Sequence, residues 1–317
     1  MLPSFLAALF FALNATCASR SVQASGSMRA NLGRLVVATV VLGFFAHIVG
    51  EGFGSASTTC FFISGVIGMG LGDLGVYAAL PLLGSRLTVL MTQCLAAPIA
   101  ALGEWWWLGT KLTATQMLWG GVILAGVAIA LMPSKSSPPR VPVKALGFLF
   151  GLIAACGQGL GALVSRKGVS VAEAAGEAVH NATFGLNAAY HRIFAGLVFT
   201  LVWFLVMRAL GKISAPPATT LAAASAPGDA STSPSNASAR ARWWMLANGL
   251  VGPVAGVGCY QWALATTPGG IVLPIAATTP LFSIPIAYWL EGDRPTRRAV
   301  AGSMVAVAGC IALTLVR

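Results

Sequence analysis

Residues 64–80 read SGVIGMGLGDLGVYAAL, and the stretch NGLVGPVAGVGCYQWAL at residues 248–264 repeats their pattern. Further pairs of similar segments follow in the same order along the chain, which indicates an internal duplication. The chain is therefore predicted to consist of two copies of one structural unit. The other pairs are ASR at 18–20 with VSR at 164–166, LGTKLT from Leu108 with EGDRPT from Glu291, and ILAGVAIAL from Ile123 with AVAGCIAL from Ala306.

The composition places the chain in a membrane rather than in water. Of its 317 residues, 57% are hydrophobic and only 9% are charged, and the mean hydropathy is +0.82. A soluble domain carries about 25% charged residues, so an ordinary water-facing surface is excluded. The net charge of +11 does not indicate nucleic-acid binding, because most basic residues lie between apolar runs, where they act as topology signals.

Apolar runs predict ten transmembrane helices, since about 20 apolar residues span a bilayer as a helix. A unit with five spans enters the membrane in the opposite orientation the second time, so the copies are inverted repeats, as in many secondary transporters. The predicted fold is an all-α integral membrane protein with one five-helix repeat at 1–132 and another at 144–317. The ten runs are 2–18, 34–50, 59–80, 86–108, 114–132, 144–164, 190–208, 243–264, 270–290 and 297–316.

Four connections between the runs differ from simple turns. The Pro-rich residues 133–143 are predicted to link the two repeats. Residues 212–242 are rich in Ala, Ser, Pro and Thr with almost no large apolar side chain, which predicts a disordered loop. Residues 18–33 are polar and basic, and residues 166–189 contain VAEAAGEAVH, which indicates a short surface helix.

Two long stretches resemble one transporter family. SGVIGMGLGDLGVYAALPLLGSRLTVLMTQCLAAPIAAL at residues 64–102 resembles its helices three and four, and ATTPLFSIPIAYWLEGDRPTRRAVAGSMVAVAGCIAL at residues 277–313 resembles its helices nine and ten. The family is the drug/metabolite transporter superfamily in its ten-helix EamA-like branch, and the resemblance covers nearly the whole chain. The sequence departs from the family in the turn at residues 109–111, Gly-Thr-Lys, which lacks the acid that Gly-Asp-Arg at 292–294 keeps.

The resemblance implies a secondary transporter that moves a small organic metabolite, such as an amino acid or a drug-like compound, by alternating access. Proton coupling or solute exchange would supply the driving force. The implied partners are the lipid bilayer, a small-molecule substrate and protons, without nucleic acid, and the protein would act as a monomer or homodimer in a bacterial inner (plasma) membrane. No cofactor, catalytic residue or metal ligand is expected, because the sequence holds no Walker loop, Cys/His metal spacing or nucleophile elbow.

Three ionisable side chains within the predicted spans are candidates for proton coupling. Asp73 lies near the middle of span three, where an ionised carboxylate costs about 2.5 to 3.5 kcal/mol and needs a cavity or a partner. A polar packing residue is the alternative. Glu104 lies about one turn inside the end of span four, and its alternative is an interfacial acid beside the tryptophans of 105–107, which are typical of an aromatic belt. His47 would join a proton relay or form a hydrogen bond in the packing.

The resemblance further implies that helices one, three, six and eight line a central cavity. Pro98 and Pro280 are candidate helix breaks or hinges, with simple packing kinks as the alternative. Arg34, and His191 with Arg192, open spans two and seven at matching places in the repeat. We interpret them as helix-end anchors, with anion binding by an arginine as the alternative. The candidate substrate contacts are Asp73 and the polar or amphipathic side chains of Asn14, Tyr77, Gln158, Tyr260, Gln261 and Trp262.

The sequence leaves two questions open. A non-transporting receptor or scaffold is the alternative function, and it predicts that neutral replacements of Asp73 and Glu104 leave the phenotype intact. The orientation in the membrane is the second question. The positive-inside rule favours both termini outside, because most basic residues then face the cytoplasm, whereas the resemblance implies both termini inside.

Overall fold

The fold is helical wherever the computed structural model describes regular structure, within residues 1–25, 27–132, 143–211, 234–279, 281–282, 286 and 296–315. Within these residues, seven helices are long and apolar enough to cross a membrane. Large apolar side chains cover their outer surface; Phe44 and Met304, for example, are 73% and 69% exposed. Such a surface suits hydrocarbon rather than water. The predicted all-α integral membrane protein is confirmed.

Helices are numbered here along the chain. In addition to the α-helices, π-helical segments at Val66–Gly72 and Leu250–Val257 join α3 to α4 and α8 to α9, and another at Glu104–Leu108 follows α4. The α-helices are α1 (Leu2–Ser25), α2 (Ser27–Ile48), α3 (Thr58–Gly65), α4 (Asp73–Gly103), α5 (Ala114–Leu131), α6 (Ala145–Ala174), α7 (Ala182–Ala209), α8 (Pro234–Gly249), α9 (Gly258–Thr266), α10 (Gly269–Ala276) and α11 (Arg297–Leu315).

One long helical stretch supplies two membrane spans. Its early residues pack on α6 in antiparallel order and its later residues pack on α6 in parallel order, so the chain turns back between residues 75 and 91. This turn agrees with the separate third and fourth spans predicted at 59–80 and 86–108. The contacts in chain order are Gly68 with Gly161, Gly72 with Gly157, Gly75 with Ala154, Met91 with Gly151, Ile99 with Gly159 and Gly103 with Leu163.

Two predicted connections are more helical than expected. The polar residues 18–33 are not a loop, because α1 continues to Ser25 and α2 begins at Ser27. Residues 166–189 hold no separate surface helix, because α6 continues to Ala174 before the turn to α7. The backbone hydrogen bonds of a helix are internal, so a helix can continue past the apolar run that marks its membrane part.

The other two connections lie mainly outside the described residues. Of the predicted linker at 133–143, only Val143 is described. Of the predicted disordered loop at 212–242, residues 212–233 are outside, while 234–242 form the beginning of α8.

Contacts in the two halves match, as the predicted duplication requires. The π-helical segments Val66–Gly72 and Leu250–Val257 occupy corresponding places in the two stretches quoted first. Glycines make the matching contacts, since small residues permit the close backbone approach by which helices associate in lipid. Gly72 contacts Gly157 as Gly256 contacts Phe11, Gly126 contacts Ala306 as Gly309 contacts Ile123, and Gly65 contacts the backbone of Arg192 as Gly249 contacts the backbone of Arg34.

Candidate functional site

A cavity of about 250 Å³ lies between the two halves of the chain. This is the volume of about eight water molecules in the liquid, which gives room for a small organic solute. Its walls come from α1, α2, α4, α6, α7, α9 and α10 and from the two matching π-helical segments. The polar part of the lining includes Asn14, Arg34, Asp73, Thr88, Thr92, Gln93, Gln158, Arg192 and Tyr260.

Four of the predicted substrate contacts face this cavity. Asn14 comes from α1, Asp73 from the start of α4, Gln158 from α6 and Tyr260 from α9. The carbonyl oxygen of the Asn14 side chain is buried and has no hydrogen-bond partner among the described residues. The four side chains combine amide, carboxylate and phenol groups around one space, as a site for a polar metabolite requires.

Asp73 forms an ion pair with Arg34 of α2, with 3.0 Å between Oδ2 and the terminal nitrogen. The two side chains are only 17% and 18% exposed. The Nε–H of Arg34 also donates to Oδ1 of Asn31 at 2.8 Å. The attraction between the two charges offsets the free energy lost when each is removed from water. An ionised carboxylate in mid-span is therefore stable here.

Arg192 is the other guanidinium that lines the cavity. It is 3% exposed and comes from the middle of α7. One terminal nitrogen donates to the hydroxyl of Ser165 at 3.4 Å, and the guanidinium carbon lies 5.9 Å from the ring centre of Tyr260. Its Nε–H has no hydrogen-bond partner among the described residues.

Contacts between the two halves close the membrane face at which α2, α6 and α9 end, which we call the closed face. Glu104, from the first half, accepts a hydrogen bond from the backbone N–H of Gly269 at 2.8 Å and lies 3.6 Å from Nε of Arg166. Arg166 in turn donates to the carbonyl oxygen of Leu264. A carboxylate therefore binds the beginning of α10 and the end of α6 together.

A second group of contacts lies at the same face. Glu177, in the turn before α7, accepts from the hydroxyl of Ser55 at 2.8 Å and from the backbone N–H of Ala56 at 2.7 Å. His191 donates from Nε2 to the carbonyl oxygen of Gly52 at 2.7 Å. The loop between α2 and α3 is thereby held to the second half.

The cavity extends away from the closed face. Arg34 lies near the beginning of α2, and Thr88 lies in the region where α4 turns back. Both positions belong to the opposite face, which we call the hairpin face, and both line the cavity. The space therefore reaches from the middle of the helices toward the hairpin face.

Glu104 and its neighbouring tryptophans point in opposite directions. Glu104 is 1% exposed, whereas Trp105, Trp106 and Trp107 are 60%, 86% and 51% exposed. The tryptophans fit an aromatic belt. Glu104 itself faces the protein interior rather than headgroups or water, so it is not the interfacial acid that the sequence offered as an alternative.

The remaining predicted residues lie outside the cavity lining. His47 is exposed at the end of α2, 3.4 Å from the hydroxyl of Tyr190. Gln261 is 1% exposed, and neither polar atom of its amide has a hydrogen-bond partner in the described part of the chain. Trp262 donates from Nε1 to the carbonyl oxygen of His180 at 3.4 Å, near the closed face.

Three further candidates cannot be assigned to the cavity. Tyr77 belongs to α4, but its side chain is not among those that the structure describes. Pro98 is exposed, and helical structure continues on both sides of it. Pro280 lies outside the described residues.

Arg34 and Arg192 were predicted from the sequence as helix-end anchors, but both line the cavity. Placing the start of span seven at residue 190 made Arg192 a helix-end residue. Because α7 begins at Ala182, Arg192 lies about 15 Å along the helix. Had α7 been predicted at its full length, Arg192 would have been placed deep within a span. An arginine at such a depth is a candidate functional residue by its position alone.

The side chains of the site offer charge and hydrogen bonding. Within the described ranges, no three His, Cys, Asp or Glu side chains come close enough together to hold a metal ion. Only the ion pair and the buried arginine carry charge among the cavity residues named above.

Comparison with known proteins agrees with this architecture. The profile of the EamA-like transporter family matches residues 1–132 and 145–315. A solved crystal structure of a protein superimposes with a TM-score of 0.68 over 99% of this chain and 96% of the other, at 17% sequence identity, which supports the fold. No curated protein sequence matches the chain significantly.

Proposed function

The chain belongs to the EamA-like transporter family, and we propose that it is a secondary active transporter that carries a small organic metabolite across the membrane by alternating access. The family supplies the general function, transport of a small molecule by a multi-pass integral membrane protein. The geometry of the cavity supports the more specific parts. We place the transporter in a bacterial inner membrane, as a monomer or a homodimer.

One observation carries the proposal. The cavity between the halves extends toward the hairpin face, while bonds between the halves hold the closed face together. In inverted-repeat transporters a central site is exposed first to one side and then to the other as the halves rock against each other. In the opposite state, the bonds of Glu104 and Glu177 across the closed face would be broken.

The proposed substrate contacts are the side chains that converge on the cavity. Asn14, Gln158 and Tyr260 offer neutral hydrogen-bonding groups, and the apolar part of the wall includes Phe11 and Leu273. A mainly apolar wall with a few placed polar groups is the usual form of a small-molecule site.

Two acids are proposed to couple transport to protons. Asp73 is paired with Arg34 inside the cavity, where a solute in the site would reach it. Glu104 is buried in the closed face and would meet water when that face opens. An acid whose surroundings change between the two states binds its proton with different affinity in each, which is the requirement for coupling. Exchange of one solute for another, without net proton movement, is the alternative mechanism.

Flux measurements in proteoliposomes test the proposal. The full chain is reconstituted and assayed with a panel of amino acids, organic acids and neutral metabolites, with and without a pH gradient and with solute preloaded inside. We expect uptake above empty vesicles for at least one class. A pH gradient will stimulate uptake if protons drive it, and preloaded solute will stimulate it if exchange does.

A matched pair of variants shows whether the cavity carries the flux. Ala96→Phe fills the cavity, because Ala96 is 2% exposed and lines it. Ala209→Phe adds the same bulk at the exposed end of α7. We expect the first variant to lose transport and the second to keep it. A well-folded wild-type protein that moves no solute of the panel would contradict a transport function and favour a receptor or scaffold.

A further inference from the structure

Arg34 and Arg192 occupy equivalent positions in the two repeats. The backbone of Arg34 contacts Gly249, and the backbone of Arg192 contacts Gly65. These glycines are the second residues of the two repeated stretches, NG at 248–249 and SG at 64–65. The pseudo-two-fold relation of the halves therefore interchanges the two arginines.

The two arginines differ in their acidic partners. Arg34 is paired with Asp73 at 3.0 Å. In the aligned stretches the position of Asp73 corresponds to Val257, which lines the same cavity. The second repeat thus holds valine where the first holds the carboxylate that neutralises an arginine.

Arg192 consequently has no ion-pair partner of its own among the described residues, although the carboxylate of Asp73, which is paired with Arg34, also attracts it. Among the described residues no carboxylate lies within ion-pair distance of it, and its Nε–H has no hydrogen-bond partner. Its hydrogen bond to Ser165 is long, at 3.4 Å, and the ring of Tyr260 lies 5.9 Å from its guanidinium carbon. A guanidinium that is 97% buried without a paired anion is unfavourable, so a ligand anion at this place would stabilise the protein.

We propose that the cavity binds solutes that carry a carboxylate, and that Arg192 is the residue that binds this group. The inference rests on the proposed transport function and names its substrate class. A guanidinium presents parallel N–H groups that fit the two oxygens of a carboxylate. Arg34, Asp73 and Arg192 together carry one net positive charge, so one carboxylate makes the site neutral. The neutral amides of Asn14 and Gln158 remain for the rest of the solute.

Ligand-dependent thermal stability of the purified full chain is the first test. The probes are propionate with its neutral analogue propionamide, and alanine with alaninamide. Propionate represents a simple organic acid and alanine an amino acid, so the two pairs distinguish the sources of a carboxylate. We expect at least one carboxylate to raise the melting temperature while its amide does not. Stabilisation by neither carboxylate, or equally by acid and amide, would overturn the proposal.

Variants at the symmetry-related position give the sharper test. Val257→Asp supplies the second repeat with its own partner for Arg192, whereas Val257→Asn has the same size and polarity without the charge. We expect Val257→Asp to weaken carboxylate binding by about tenfold or more relative to Val257→Asn. A loss of carboxylate affinity that is common to both variants measures the effect of side-chain size and polarity. The difference in affinity between the two variants measures the effect of the charge. Equal binding by the two variants would contradict the proposal.

Arg192→Gln completes the test, with Arg208→Gln as its control. Arg208 belongs to the same helix but is exposed near its end. We expect the first variant to lose carboxylate binding and the second to bind as the wild type does. Flux of neutral or cationic solutes that is unaffected by Arg192→Gln, with no carboxylate flux, would overturn this inference and leave the transport function intact. Absence of all flux would contradict the transport function itself.

Discussion

The side chain of Glu104 accepts a hydrogen bond from the backbone amide of Gly269 at 2.8 Å, and this bond joins the first half of the chain to the second. Gly269 is the first residue of α10, so the carboxylate also occupies the positive end of a helix dipole. Arg166 lies 3.6 Å from the same oxygen. The contacts that hold the closed face together therefore depend on the charge of the Glu104 carboxyl group.

Replacing Glu104 with Gln separates the hydrogen bond from the charge. The amide oxygen of Gln can still accept from Gly269, but the attraction to Arg166 is lost and no proton can be bound. We expect Glu104→Gln to keep solute exchange and to lose most of the stimulation of uptake by a pH gradient. Flux in proteoliposomes at several imposed gradients measures this effect. Unchanged stimulation would show that Glu104 does not carry the coupling proton.

Glu177 provides a separate test of the closed face. Glu177→Gln weakens the bonds to Ser55 and Ala56 by about 1 to 2 kcal/mol in total, because bonds to a charged acceptor become bonds to a neutral one. We expect the closed face to open more often. In a variant whose only cysteine is Cys60, at the beginning of α3, a water-soluble thiol reagent should then react severalfold faster.

The control for this experiment is Glu173→Gln. Glu173 is 3.6 Å from His180, and the side chains of this pair are 47% and 69% exposed. Exposed ion pairs contribute little to stability, so the reactivity of Cys60 should stay at the wild-type rate. Equal acceleration by both variants would point to a general loosening and not to the bonds of Glu177.

The fold could be predicted from the sequence because its determinants are periodic and local. Apolar run lengths report the spans, and the repeated Gly-rich stretches report both the duplication and, through the odd number of spans, its inversion. The positions of these glycines could be read from the sequence, but the residues that they contact could not. The predicted ends of the helices were wrong, because a helix with internal hydrogen bonds can continue past the end of its apolar run.

The site could be predicted only in part, because its partners are far apart in the chain. Asp73 was identified by the energetic cost of a charge in mid-span, but its pairing with Arg34 depends on the packing of the whole bundle, which brings α2 near the start of α4. Glu104 and Gly269 are 165 residues apart, and nothing in the sequence around either residue indicates that they are in contact. Such contacts follow from the packing of the repeats, which composition and periodicity do not specify.

The Arg34–Asp73 pair should show strong coupling between its two members. Asp73→Asn alone leaves Arg34 without its carboxylate in a mostly buried place, and we expect a loss of about 2 kcal/mol in stability, less than for a fully buried pair. The double variant Arg34→Gln with Asp73→Asn should regain most of this loss. Thermal unfolding of the single and double variants in one detergent measures the coupling. Additive effects of the two substitutions would contradict a functional ion pair.

Glycine-to-alanine substitutions at two equivalent helix contacts of the repeats should differ in their effect on stability. A Cβ at Gly157 would meet the backbone of Gly72, whereas a Cβ at Gly256 would meet the ring edge of Phe11, which can move. We therefore expect Gly157→Ala to destabilise the protein by about 1 to 3 kcal/mol and Gly256→Ala to destabilise it less. Gly121→Ala, in α5 with open space around the added carbon, should be neutral or stabilising by up to about 1 kcal/mol. Thermal unfolding of the three variants checks the order, and a larger loss for Gly256→Ala than for Gly157→Ala would contradict the close backbone contact between Gly72 and Gly157.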